Sequence, residues 1–274
     1  LLILSYPALA KTDRGLDSFG VALLYPSAPR GTSWTSKWSE GGPRVLGYQA
    51  DPQDPWFDCA HGDARYSIDG EGVLTAAGET PRMYVHDPEG KRLFTNVEIT
   101  VYGMRAGETK PVGWAGLMTY AKTDHRNDSD ACATRGYGAR LTYDGRADFE
   151  KETSHGKSKG YARAASVKPW PRQGGMPSGT WIGYKFIARD SDKGKKVRLE
   201  LWMDLTDGKD GGDWKLVTQF LDEGKWGSDA DACSPGKDPA QVLTGPFPVV
   251  YIRTDSVSDM RYKRFSVREI APLP

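Results

Sequence analysis

Alternation constrains this chain more than any other feature. Residues 97–104 place Val97, Ile99 and Val101 on one face of an extended chain and Glu98, Thr100 and Tyr102 on the other. The same period of two runs through 114–120, 137–143, 147–153, 180–188, 197–203, 214–221, 248–253 and 262–270. Side chains alternate faces along a strand, so each run reads as a half-buried strand. Asp69-Gly70, Asp144-Gly145, Asp207-Gly208 and Glu223-Gly224 supply turn chemistry between such runs. Helical patterning of comparable strength does not intervene. The pattern therefore predicts an all-β protein, two antiparallel sheets packed as a sandwich with a concave groove.

With 274 residues the chain is long enough for one well-filled core. We expect residues 1–18 to be an N-terminal extension or signal-peptide remnant and residues 19–274 a single domain. The opening Leu1 to Ala10 is apolar and ends in small residues. It reads equally as the tail of a signal peptide and as an edge strand. The signal reading places the mature protein outside the cell. Lys and Arg number 37 against 36 Asp and Glu, so global charge argues for neither nucleic acid nor a membrane surface as partner. No stretch reaches the roughly 18 consecutive apolar residues of a membrane span. We expect a monomer.

Cys132 follows Asp-Ser-Asp-Ala and Cys233 follows Asp-Ala-Asp-Ala, both polar, loop-like settings. A disulfide between them is the expected pairing, with Cys59 left buried and reduced. Closing a loop of about 100 residues stabilises by up to ~4–5 kcal/mol in the chain-entropy model. The segment 25–57 is rich in Pro, Gly, Ser and Trp and reads as a long irregular excursion along one sheet.

Several blocks resemble the secreted concanavalin A-like jelly-roll superfamily. They are Asp69-Gly70-Glu71-Gly72-Val73-Leu74, Pro81-Arg82-Met83-Tyr84, Asn96-Val97-Glu98-Ile99-Thr100, Trp181-Ile182-Gly183-Tyr184-Lys185, Val197 to Trp202, and Arg253-Thr254-Asp255 through to Ile270. The resemblance covers most of the chain from about Phe19. It implies a jelly-roll sandwich and a carbohydrate ligand. The superfamily spans lectins, glucanases and polysaccharide lyases, so it does not fix the chemistry. Arg198-Leu199-Glu200-Leu201 only faintly echoes the Arg-Thr-Glu-Leu-Arg strand of alginate lyases of this fold. Their Gln-Ile-His and Tyr-Phe-Lys-Ala-Gly strands have no counterpart here.

Chemistry-bearing residues concentrate between Arg135 and Lys168, where eight Lys or Arg stand against four Asp or Glu, together with His155, Tyr137, Tyr143 and Tyr161. His125 lies just upstream. β-Elimination from a uronic-acid polymer needs a cation to neutralise the carboxylate, a base for the C5 proton and an acid for the leaving oxygen. His125 or His155 as base, Tyr143 as acid, and Arg140 or Lys151 as neutraliser make up such a set. The leading expectation is a secreted polysaccharide lyase acting on an anionic polymer. Glu98, Tyr102, Glu152, Lys185, Arg198, Glu200, Trp202, Tyr251 and Arg253 are the expected substrate-binding residues.

Two alternatives use other features. Asp148, Glu150 and Glu152 share a strand face and are candidates for the paired carboxylates of a glycoside hydrolase. An exposed Trp202 would equally suit a non-catalytic sugar-binding module. No cofactor is required by any of these readings. The acidic, Gly-rich run with Asp204, Asp207 and Asp210 is a candidate for a structural Ca²⁺, although a hairpin turn explains it as well.

Overall fold

The computed structural model describes residues 15–110, 112–156, 159–170 and 174–273. In chain order the strands are β1 (Ser33–Thr35), β2 (Arg44–Leu46), β3 (Ala50–Asp51), β4 (Asp54–His61), β5 (Ala64–Ile68), β6 (Val73–Gly78), β7 (Arg82–Val85), β8 (Val97–Glu108) and β9 (Gly116–Thr123). They continue as β10 (Gly136–Thr142), β11 (Ala147–Glu152), β12 (Tyr161–Arg163), β13 (Ile182–Ser191), β14 (Lys196–Asp204), β15 (Lys215–Asp222), β16 (Val249–Arg253) and β17 (Val257–Glu269). Among the described residues the only helical elements are two three-residue 3₁₀ turns. None is long and apolar enough to cross a membrane.

The strands form two antiparallel sheets. One has nine strands in the order β15-β14-β13-β8-β17-β6-β5-β2, with β1 also paired to β17. The other has eight, β12-β11-β10-β9-β16-β7-β4-β3. Every run of period-two alternation falls on a strand. The jelly-roll sandwich expected from the sequence is the architecture found.

The inner faces pack against each other. Val97, Ile99 and Val101 of β8, Tyr184 and Phe186 of β13, and Leu199 and Leu201 of β14 meet Leu117, Tyr137, Ala139, Leu141, Phe149, Val250 and Ile252 from the opposite sheet. Tyr184 fastens the layers with a polar contact: its hydroxyl donates to the Ala139 carbonyl at 2.5 Å and lies 3.0 Å from the Thr119 hydroxyl. Burying a phenol is tolerable because it is hydrogen-bonded.

The stretch 25–57 is more ordered than expected. It contains β1 to β3 and the first half of β4, and Trp34 and Trp38 enter the core against Phe57 and Phe265. Strands of two or three residues are too short to show a period, so the sequence pattern missed them. Of the expected N-terminal extension, residues 1–14 lie outside the described residues. Asp17 already packs on the nine-stranded sheet, where the Ser266 hydroxyl reaches its carboxylate at 3.3 Å.

The Cys132–Cys233 disulfide is present, with Cα atoms 5.4 Å apart, and Cys59 is buried and free. The bridge ties the loop between β9 and β10, which carries His125, to the long segment between β15 and β16.

Candidate functional site

The β10–β11 hairpin sets the site. Asp144-Gly145 makes its turn, and Gly145 has φ +88°, a region that favours glycine. The register pairs Arg140 with Asp148, Gly138 with Glu150 and Gly136 with Glu152. Arg140, Asp148, Glu150 and Glu152 therefore stand on the outer face of the eight-stranded sheet. Tyr120 of β9, Tyr251 and Arg253 of β16, Tyr84 of β7, and Tyr161 and Arg163 of β12 share that face. Gly138 is required here, because a Cβ would sit 2.5 Å from the Tyr120 ring.

Two carboxylates organise the cluster. Glu150 accepts hydrogen bonds from Arg140 Nη1 at 2.9 Å, from Arg163 Nε at 3.0 Å and from the Tyr120 hydroxyl. Arg253 Nη1 lies 3.9 Å away. Arg140 Nε also donates to Asp148 at 2.7 Å, while its Nη2 is buried without a partner. Trp114, Arg140, Glu150, Tyr161, Arg163 and Arg253 line a polar pocket of about 100 Å³. Trp114 stands at its rim with 48% of its surface exposed.

Glu152, fully buried, anchors the second half. His155 Nδ1 donates to its Oε1 at 2.7 Å, Tyr161 donates to the same oxygen at 3.1 Å, and His125 Nε2 lies 3.4 Å from Oε2. Burial pushes the Glu152 carboxyl up, but the hydrogen bonds from His125 and His155 outweigh it and bring it down to about 2. The hydrogen bond to Glu152 in turn raises His155 against the opposing effect of burial. His125 contacts the Tyr84 hydroxyl through Nδ1 at 3.2 Å, and its ring packs 5.0 Å from that of Tyr251. Tyr251 stacks on Tyr120 at 4.8 Å. Burial raises the phenols of Tyr120, Tyr161 and Tyr251 above their ordinary range, so all three stay protonated at neutral pH.

Of the residues singled out in the sequence, His125, His155, Arg140, Asp148, Glu150, Glu152, Tyr161, Tyr251 and Arg253 come together on this face. The others do not. Lys151 points between the sheets, where Nζ meets Asp222 of β15 at 2.7 Å and donates to the Trp226 and Ala240 carbonyls. It cannot share a face with the acidic row, because neighbouring residues in a strand alternate. His155 lies three residues beyond Glu152, the last residue of β11, so strand alternation does not set its face. Tyr143 also departs from its expected place. It sits in the core, its hydroxyl 2.9 Å from that of Thr254 and its ring under Arg105. Tyr161, on β12, is the phenol at the pocket. It belongs to the tyrosines of the basic stretch, but the three residues of β12 are too few for a period to assign its face.

Glu98, Tyr102, Lys185, Arg198, Glu200 and Trp202 occupy the outer face of the other sheet, away from the histidines. The segment before β1 covers several of them. Lys185 Nζ pairs with Glu98 at 2.8 Å, and Glu98 also accepts the backbone amides of Leu24 and Tyr25. Glu200 accepts from the Tyr25 hydroxyl at 2.6 Å, from Trp202 Nε1 at 2.9 Å and from Arg198 Nε at 3.0 Å. Trp202 packs with Leu24, Ile187 and Ile270. Alternation told which residues share a strand face but not which sheet each strand joins.

Asp204 accepts the backbone amides of Thr206, Gly208 and Asp213 and the Tyr102 hydroxyl, the bonding of a tight turn. Asp207 pairs with Lys263, and Asp210 is exposed. Among the described residues, the group with metal-ligand chemistry is His125, Glu152 and His155, whose ligand atoms all lie within 4.8 Å of one another.

No family model and no curated protein matches the chain. Solved structures that it is similar to include a double mutant of the alginate lyase Aly36B in complex with alginate tetrasaccharide, at 11% identity, covering 88% of this chain and 98% of that one, TM-score 0.45. A protein of unknown function with galectin-like fold from Bacillus subtilis aligns at 12% identity over 87% of this chain and 100% of its own, TM-score 0.45. Peanut lectin aligns at 10% identity over 84% and 100%, TM-score 0.39.

Proposed function

We propose that the chain is an extracellular polysaccharide lyase that cleaves a uronic-acid polymer by β-elimination at the β10–β11 face. The observation that carries this reading is the Glu152–His155 contact beside an arginine-lined pocket. Glu152 fixes the proton of His155 on Nδ1, which leaves Nε2 as the basic nitrogen. A third of the His155 side chain is exposed, which leaves the ring within reach of a substrate.

In this scheme Arg163, Arg253 and the unpartnered Nη2 of Arg140 hold the uronate carboxylate and stabilise the charge that develops on it. His155 takes the C5 proton. The C4–O bond breaks as the C4–C5 double bond forms, and the Tyr161 phenol protonates the departing oxygen. Glu152 positions His155 and does not react. The exposed Trp114 offers a flat surface for an adjoining sugar ring. The disulfide suits an oxidising compartment and supports the extracellular setting.

Hydrolysis is the weaker reading. A retaining or inverting hydrolase keeps one carboxyl group protonated as general acid. Glu152 is held at about 2, the wrong direction for that role, and Glu150 is tied by two guanidinium groups.

The test is a panel of uronic-acid polymers and neutral glucans, read together by ultraviolet absorbance of unsaturated uronyl ends and by reducing ends. Elimination gives both signals on an anionic polymer and neither in His155→Ala. Reducing ends without absorbance would replace the lyase by a hydrolase. Retardation in a polysaccharide gel with neither signal would leave a binding module.

A further inference from the structure

We propose that His125, Glu152 and His155 form a binding site for a borderline transition-metal ion of the Zn²⁺ or Co²⁺ type, and that occupancy of the site switches off the base. The second half rests on the lyase reading; the first does not.

The donor set comes from two directions. Glu152 and His155 leave the end of β11 three residues apart, and His125 descends from the β9–β10 loop. Their ligand atoms lie within 4.8 Å of one another, with His125 Nε2 3.4 Å from Glu152 Oε2. Metal bonds of about 2.0–2.2 Å in a tetrahedron separate neighbouring ligand atoms by roughly 3.4 Å. The His125–Glu152 edge already has that length. His155 Nδ1 meets the other carboxylate oxygen, Oε1, at 2.7 Å, so an ion between the two rings is held through both oxygens of Glu152, and this second separation must widen by less than an ångström. His155 is the partly exposed member of the set, and its ring lies 4.8 Å from that of His125.

The surroundings fit as well. Metal-bound histidines are normally oriented by a hydrogen bond at the other ring nitrogen, and ligand carboxylates are hydrogen-bonded in turn. Tyr84 holds His125 Nδ1 at 3.2 Å, which aims Nε2 at Glu152 and His155. Tyr161 donates to Glu152 at 3.1 Å. Two imidazoles and one carboxylate suit Zn²⁺, Co²⁺ or Ni²⁺ and are a poor set for Ca²⁺ or Mg²⁺, which take oxygen ligands.

Coordination through His155 Nδ1 displaces the proton that Glu152 holds there. The remaining proton then sits on Nε2, and the nitrogen that faces substrate no longer has a lone pair. Metal binding and general-base action exclude each other at this one ring.

Untagged protein is titrated with Co²⁺ and its visible absorption recorded. We expect one ion per chain with the intense bands of four- or five-coordinate Co²⁺, lost in both His125→Ala and Glu152→Gln and kept in His61→Asn. Circular dichroism and melting confirm that the variants fold; His125→Gln serves if the alanine variant does not. A spectrum no stronger than that of the hydrated ion, or one unchanged in both ligand variants, overturns the site. On a cleaved polymer, Zn²⁺ is expected to suppress elimination at least tenfold, with recovery on adding a chelator. Elimination that is indifferent to Zn²⁺, or rises with it, overturns the switch. If no polymer is cleaved at all, the lyase reading falls while the Co²⁺ spectrum still decides the site.

Discussion

His155 donates through Nδ1 to Glu152 Oε1 at 2.7 Å, three residues back along the chain, and the carboxylate that accepts it is fully buried. This pairing sets the pH response. Glu152 raises His155, so activity that depends on neutral His155 increases with pH through a midpoint above that of an ordinary histidine. Glu152→Gln removes the charge and moves that midpoint to lower pH, with a fall in kcat as orientation is lost. His155→Ala lowers kcat by about 10²–10⁴-fold, the usual weight of a general base. A kcat–pH profile of the three proteins checks both statements. An unchanged midpoint in Glu152→Gln would remove Glu152 from its positioning role.

The same carboxylate contributes to acid stability. Its folded pKa of about 2 lies below the unfolded value near 4.3, so its contribution is fully present above about pH 5 and lost as pH falls toward 2. A depression of that size corresponds to about 3 kcal/mol. His155, raised in the fold, adds stability below the ordinary histidine pKa and loses it as pH rises through the folded value. Urea melts at pH 6, 4 and 3 are expected to show a steep decline in the natural protein and a shallower one in Glu152→Gln. Parallel declines would mean that another carboxylate governs the acid limb.

Lys151 and Asp222 join the sheets at 2.7 Å with neither side chain exposed. Tyr137 also donates to Asp222, at 2.6 Å, and accepts the Leu243 amide. Removing one member leaves a buried charge without its counterion, which costs about 3–5 kcal/mol. Lys151→Met is therefore expected to destabilise strongly, and Lys151→Met with Asp222→Asn to recover part of the loss. Denaturant unfolding of both variants is the measurement. A loss below about 1 kcal/mol in the single variant would show that the pair has little weight.

These two sites mark what the sequence made legible. The Asp144-Gly145 turn and the alternation of 137–143 and 147–153 define a hairpin, and the hairpin defines one polar face. His125, His155 and Arg140 were readable as its chemistry because charge and imidazole cluster there. The inward turn of Lys151 was not readable. Its partner Asp222 lies 71 residues away in the other sheet, and a lysine in line with Ala147 and Phe149 reads as a poor core residue until that carboxylate is known. Glu98, Lys185 and Glu200 failed for a related reason. They alternate like groove residues, but strand order decides the sheet, and hydrophobic period carries no strand order. The segment that covers them, with Leu24 and Tyr25, has no strand signature of its own.

The arginines around Glu150 differ in what they contribute. Arg140 is buried and holds both Asp148 and Glu150, whereas 48% of the Arg163 side chain is exposed. Arg163→Ala is expected to leave the melting temperature within a few degrees and to raise KM for an anionic polymer about tenfold, with little change for a neutral one. Arg140→Ala takes the cation from the buried Asp148 and one of two guanidinium partners from Glu150, and is expected to lower the melting temperature markedly. Thermal melts with steady-state kinetics separate the two. An Arg163→Ala enzyme with unaltered KM would exclude that side chain from carboxylate binding.

The Cys132–Cys233 bridge connects stability to the site. It spans 101 residues, and in the chain-entropy model such a loop stabilises by about 4–5 kcal/mol. One end lies seven residues after His125, in a loop that covers the outer face. The other end lies in the segment whose Trp226 and Ala240 carbonyls accept from Lys151. Replacing both cysteines by serine releases the loop from that anchor, so His125 loses part of its hold while Glu152 and His155, on β11 and just beyond, keep theirs. The double variant is expected to lose several kcal/mol of stability, yet to retain the raised His155 midpoint in its pH profile at temperatures where it stays folded. Hydrogen exchange should rise in 124–135 before it rises in 147–152. Equal exchange in the two segments would mean that the loop is held by its other contacts, such as the Arg135 bonds to Asp238 and Gln241, and not by the disulfide.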